Sequence, residues 1–195
     1  IDAAKREVWL ISAYLIPTLE LEQAIQRARE RGVEVRILTN SINSNNHLTA
    51  HSAYRKHVRQ LVEMGVDVHE VRVDAEDRDL YIESPLEDKS LCLHAKVLLF
   101  DDYRVFVGSA NLDPRSLHIN TEMGLLIESK SLNTAMRRVL EPDFLLRNAW
   151  HLQQDADGEI IWVSDNDPLN NQPTHSYMQR IEDWFFSSLP IENEM

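Results

Sequence analysis

A strand–helix–strand run closed by a glycine restricts the fold of this chain more than any other feature. From Leu19 to Arg31, Leu21, Ala24, Ile25 and Ala28 recur at helical spacing, and Gly32 supplies a C-terminal stop. Val33-Glu34-Val35-Arg36-Ile37-Leu38-Thr39-Asn40 follows with no linker and reads as a strand. Upstream, Val8-Trp9-Leu10-Ile11-Ser12-Ala13 is a short apolar run of strand formers, and Pro17 closes the segment after it. Two strands joined through one helix by tight turns form a βαβ unit, which requires a parallel sheet.

The rest of the chain extends that pattern. Ser41 to Asn46 is a polar loop at a strand end, the place where open α/β sheets bind ligands. A second helix is predicted from Thr49 to Met64, ended by Gly65, and a third strand from Val66 to Val73. Asp74 to Lys89 is acidic, contains a proline and reads as a solvated connection. Leu91–Phe100 and Tyr103–Ala110 form a predicted hairpin around Asp101-Asp102. Another strand is expected at Thr121–Glu128, a helix at Leu132–Arg147, a strand at Glu159–Val163 and an amphipathic helix at Ser176–Leu189. Within that last helix Trp184-Phe185-Phe186 reads as core, with a membrane-facing edge as the alternative. With 195 residues and 43% hydrophobic content the chain can bury one core. The expectation is a single α/β domain with a mixed, largely parallel sheet and helices on both faces.

Two properties narrow the function. The formal net charge of −12 opposes polyanion binding, which draws its affinity from neutralising phosphates, so no nucleic-acid partner is expected. The single cysteine, Cys92, cannot form an internal disulfide, and no zinc-ligand spacing is present; a cytoplasmic setting fits. No apolar stretch approaches the roughly 20 residues that span a bilayer. The chain begins without Met inside what reads as a helix (Ile1 to Glu7), the expectation for a piece of something longer.

The chemistry gathers in the predicted hairpin. Alternation along a strand puts His94 and Lys96 on one face, and the next strand does the same for Ser109 and Asn111. The opposite face of the first strand, Leu91, Leu93, Ala95, Val97 and Leu99, is a core face. Gly108 could let substrate approach the backbone. An imidazole, an ammonium, a hydroxyl and a carboxamide in one patch suit a phosphodiester. Lys96 and Asn111 can donate to the non-bridging oxygens without a metal, and His94 can attack phosphorus or protonate the leaving oxygen. A histidine in either role needs its second ring nitrogen held, and Glu122 is the candidate.

These residues spell His-x-Lys-x4-Asp-x6-Gly-Ser-x-Asn, from His94 through Asp101 to Asn111. The pattern resembles the phospholipase D superfamily, most closely the C-terminal half of bacterial cardiolipin synthases. Further likeness lies in Ser12-Ala13-Tyr14-Leu15-Ile16-Pro17, Leu38-Thr39-Asn40-Ser41, His51-x-x-Tyr54, Asn111-Leu112-Asp113-Pro114-Arg115-Ser116, Asn120-Thr121-Glu122-Met123-Gly124 and Leu189-Pro190-Ile191-Glu192. The resemblance implies an αβα half-domain with no cofactor. In it His94 is catalytic, Lys96 and Asn111 bind phosphate, Ser109 supports the site, Asp101 is structural and Glu122 pairs with the histidine.

Members of that superfamily face two such motifs across a pseudo-twofold axis, in one chain or in a homodimer. One histidine becomes a covalent phosphohistidine and the other serves as acid, then base. Only one motif is present here, so the resemblance implies a missing N-terminal lobe or a second copy. It also implies a phospholipid substrate (phosphatidylglycerol or phosphatidylethanolamine) and peripheral contact with the cytoplasmic side of the bacterial inner membrane. The activity implied is phosphatidyl transfer giving cardiolipin. The alternatives are a homodimeric phosphodiesterase or nuclease, and an inactive half that docks to a partner lobe. His51, Tyr54 and Arg115 are further candidates for substrate binding. His47, His57, His69, His118, His151 and His175 show no partner pattern and read as surface residues.

Overall fold

The computed structural model describes residues 1–45, 47–80, 82, 85, 90–166 and 168–174. The predicted Ser176–Leu189 helix, its aromatic cluster, His175 and the Leu189–Glu192 segment lie outside them. The first βαβ unit is β1 (Glu7–Ser12), α1 (Leu19–Glu30) and β2 (Glu34–Asn40). Thr18 caps α1 by accepting from the Leu21 N–H, and Gly32, at φ 77°, turns the chain directly into β2. Residues 1–6 form turns and bends instead of the expected helix, because the Asp101 carboxylate takes up the N–H groups of Lys5, Arg6 and Glu7.

Helix α2 (Leu48–Glu63) and strand β3 (Asp67–Val71) complete the parallel part. The hairpin follows as β4 (Lys96–Phe100) and β5 (Arg104–Gly108), then a short helix α3 (Pro114–His118) and β6 (Gly124–Glu128). Helix α4 (Lys130–Leu140) ends earlier than the predicted Arg147. Pro142 has no N–H to continue it, so a single 3-10 turn, Glu141–Phe144, takes its place. Beyond it, β7 (Ala149–Gln154), which sequence periodicity did not indicate, pairs with β3 and with β8 (Ile160–Val163).

The eight strands form one sheet in the order β6-β5-β4-β1-β2-β3-β7-β8. The expected mixed α/β sheet is present, but its parallel share is confined to β1-β2-β3, and the other five pairings are antiparallel. Alternation splits β1 between two cores. Val8 and Leu10 pack with Ile25, Ala28, Val58 and Leu61 under α1 and α2, whereas Trp9 and Ile11 pack with Leu140 and Phe144 under α4. Helices therefore cover both faces. Each fully buried aliphatic side chain contributes about 1.5–3 kcal/mol, so the two layers together anchor the central strands.

The hairpin is shorter than its sequence pattern. Strand β1 ends at Ser12, opposite Lys96, so residues 91–95 run on past the sheet without a strand beside them. Their alternation nevertheless persists. Leu91, Leu93 and Ala95 pack against the same core as Val97 and Leu99, on the α4 side.

Candidate active site

The overrun at residues 91–95 carries His94. It is fixed by Asn40 at the end of β2, which is buried and hydrogen-bonded three ways. The Asn40 Oδ1 accepts from Leu93 N–H, and its Nδ2 donates to Leu93 O and Ala13 O, all at 2.9 Å. The residue before the histidine is thus tied to the ends of two central strands. Asn40 stood in the sequence only as part of a family resemblance; its contact partners lie 27 and 53 residues away, beyond any local pattern.

His94 is exposed, and Lys96 meets it. The Lys96 Nζ donates to His94 O at 2.9 Å and lies 3.3 Å from His94 Nδ1. An ammonium has no acceptor, so this contact puts the lone pair on Nδ1 and the ring proton on Nε2. Burial lowers the Lys96 pKa, opposed by the charges of Glu122 and Asp113.

The second arm of the motif leaves β5 just after Gly108. Ser109 braces it: its N–H donates to Met123 O at 2.9 Å, its Oγ accepts from Met123 N–H at 3.0 Å, and its hydroxyl donates to Glu122. Glu122 therefore does not hold His94 as expected. Its carboxylate lies across the β5–β6 end and takes the Ser109 hydroxyl and, at 3.2 Å, the Asn120 amide. Those two hydrogen bonds, with the Lys96 charge behind them, hold its pKa below the usual carboxylate range. Asn111 follows Ser109, and its Oδ1 is buried without a partner among the described residues. Next to it, Leu112 N–H donates to Ser12 Oγ at 3.0 Å and Leu112 O accepts from Ile16 N–H at 2.7 Å. This arm too is docked on the end of β1.

Asp101 occupies the hairpin turn at φ 49°, a left-handed conformation that Asp tolerates. Its carboxylate accepts from the N–H groups of Arg6 (2.8 Å), Lys5 (3.1 Å) and Glu7 (3.3 Å). Burial alone would raise its pKa, but these donors hold it below the usual range. Gly108 makes room for the protein itself, since a Cβ there would lie 2.7 Å from Met123 O.

The remaining candidates divide. Arg115, exposed on α3, lines a cavity of about 270 Å³ with Asn111, Tyr14, His47 and Asn120. His51 and Tyr54 are interior, 0% and 2% exposed, with their rings edge to face at 5.6 Å. They lie in the packing between helix and sheet. Burial first, and Glu70 second, push the Tyr54 pKa well above its ordinary value. A second cavity of about 500 Å³, mostly apolar, lies on the α4 side beneath residues 90–95 and is lined by Leu38, Val71, Leu91, Leu93, His94 and Val139.

Of the histidines expected at the surface, His47 and His118 are exposed, and His47 packs edge to face on Tyr14. His57 is half-buried, its Nδ1 2.7 Å from Glu22. His69, 5% exposed, and His151 pair across β3 and β7 and share Asp67. Neither polarity nor local spacing shows this pairing, which arises only when β7 joins β3.

Fold and site together define a phospholipase D-like half-domain. A family model described as "Cardiolipin synthase, PLD-like domain" matches residues 1–144, and the chain belongs to this family. It is 33% identical over 194 residues to cardiolipin synthase C of Escherichia coli (strain K12), covering 94% of this chain and 40% of that protein. The chain thus spans less than half the length of that relative. Among solved structures, Nuc from Salmonella typhimurium, a phospholipase D family member, has the same fold. The TM-score is 0.59 at 18% identity, covering 78% of this chain and 86% of that one. Phosphatidylserine synthase of Haemophilus influenzae Rd KW20 matches with a TM-score of 0.55 at 18% identity, over 76% of this chain and 34% of that one.

Proposed function

We propose that this chain supplies one half of a two-motif active site that transfers a phosphatidyl group between phospholipids, forming cardiolipin. The observation that carries this reading is the convergence of His94, Lys96, Ser109 and Asn111 on one end of the sheet, held by Asn40 and Ser12. It occurs in a chain whose likeness to cardiolipin synthase C extends over 94% of its length.

In the proposed cycle the histidine of the facing half attacks phosphorus and the ester oxygen leaves with a proton from His94. The hydroxyl of phosphatidylglycerol then attacks the phosphohistidine, giving its proton back to His94 and freeing the first histidine. The Nε2–H tautomer set by Lys96 supports the acid role for His94, and Lys96 and Asn111 neutralise the non-bridging oxygens. The facing half is a preceding lobe or a second copy. Support comes from the exposed apolar side chains around the sheet edge at β6: Met123, Leu125, Leu126 and Ile119, from 61% to 78% exposed. No described helix is long and apolar enough to cross a membrane, so contact with lipid is proposed as peripheral.

The test is His94→Ala in the full-length protein that contains this chain. Cardiolipin formation from phosphatidylglycerol vesicles is expected to fall by ~10²–10⁴-fold, and unchanged product would overturn the proposal. Turnover of a generic phosphodiester or DNA by the isolated chain, without phosphatidyl transfer, would favour a homodimeric phosphodiesterase instead.

A further inference from the structure

Away from the motif, one carboxylate and two imidazoles converge on one face of the sheet. Asp67 and His69 alternate along β3, so both point to the α4 side, and His151 is the cross-strand partner of His69 on β7. Asp67 Oδ1 lies 2.8 Å from His69 Nε2 and 3.0 Å from His151 Nε2, and one donor atom from each of the three residues lies within 4.8 Å of the other two.

We propose that Asp67, His69 and His151 form a binding site for a divalent transition-metal ion of the zinc type. Two imidazole nitrogens and one carboxylate oxygen are the donor set that such ions take, with water in the fourth position. For an ion about 2.0–2.2 Å from each donor in a tetrahedral site, donor–donor distances are about 3.3 Å, close to the two Oδ1–Nε2 distances. The third edge must close. The imidazole rings are stacked 4.6 Å apart and nearly parallel, so His151, the more exposed ring, tilts toward His69 when the ion enters. Each ring then carries its proton on Nδ1, leaving the Nε2 lone pair for the metal.

The surroundings suit that arrangement at Asp67 and His151, while His69 Nδ1 is buried with no acceptor among the described residues. Arg36 Nε donates to Asp67 Oδ2 at 3.0 Å, fixing the carboxylate with Oδ1 toward the histidines. The Gln153 carboxamide lies 2.9 Å from His151 Nδ1, where its oxygen can accept the Nδ1 proton once the amide is turned. Arg36 does not leave the pocket positive. Glu141 Oε1 lies 3.4 Å from its guanidinium, so Asp67 and Glu141 together outweigh it by one charge before any ion arrives. Phe144 packs edge to face on His69 and beneath Arg36, walling one side from water.

The test titrates the chelator-treated protein with Zn²⁺ by calorimetry and with Co²⁺ by visible absorption, alongside His151→Gln and Asp67→Asn. His151 is chosen because its ring is partly exposed, and circular dichroism checks that each variant is folded. One ion per chain is expected, with tetrahedral Co²⁺ bands and affinity at least ~10-fold weaker in both variants. Absence of a stoichiometric ion in the wild type would overturn the proposal and leave a hydrogen-bonded cluster only. Binding of equal strength in folded variants would overturn it as well.

Discussion

Asn40 grips both backbone groups of Leu93, accepting from its N–H and donating to its carbonyl at 2.9 Å each, and so places His94 at the end of the sheet. Its third bond, to Ala13 O, makes one buried carboxamide the joint between β1, β2 and the histidine segment. Asn40→Ala strands buried partners and should cost about 1–3 kcal/mol of stability. Because the histidine shifts while the groups proposed to bind phosphate stay, turnover should fall by more than ~10-fold with a smaller change in KM. Steady-state kinetics and thermal unfolding check both effects.

Ser109 and Glu122 act as one unit at the β5–β6 end. Ser109→Ala and Glu122→Ala should therefore be non-additive, with a coupling of roughly 0.5–3 kcal/mol in a double-mutant cycle of activity. Additive losses would instead give Glu122 a role independent of the serine.

The Asp101 carboxylate is bound by three backbone N–H groups, and its folded pKa lies below its ordinary value. The stability it contributes is full above the unfolded pKa, near 3.8, and is lost as pH falls through the lower folded pKa. Asp101→Asn keeps a residue that tolerates positive φ but removes the charge. The variant should be less stable at neutral pH by about 1–2 kcal/mol, and the gap should narrow below pH 4. Urea denaturation across pH 2–7 measures this.

Gly124 lies opposite Gly108 on β6, and a Cβ there would run into the Phe106 ring. Gly124→Ala should destabilise the β5–β6 pair by about 1–3 kcal/mol, and Phe106→Leu should recover part of it. Comparing the melting temperatures of the two single variants and the double variant tests the clash.

Much of the site was legible in the sequence because its chemistry is packed into eighteen consecutive residues, His94 to Asn111, with strand-like alternation around them. The expected partner of His94 was read wrongly, because alternation shows which face a side chain takes but not how strand ends are offset. Glu122 shares the neighbourhood of Lys96 yet is bound by Ser109 and Asn120. His51 and Tyr54 illustrate a related point. Helical spacing puts the pair on one face, as substrate groups or as helix packing, and only the packed sheet shows that face to be interior.

The sequence by itself determined the βαβ start, through helical periodicity and the glycine stop at Gly32, and the hairpin that carries the motif. Local spacing and backbone sterics suffice for both. Tertiary structure alone decided that β7 would lie beside β3, and hence that Asp67, His69 and His151 would meet. It alone decided that Asn40 would reach Leu93, and that the hairpin would join β1 antiparallel through β4. These depend on which strands pair and where each one ends, and such pairings are set by the burial of two opposite faces at once, which local sequence does not encode.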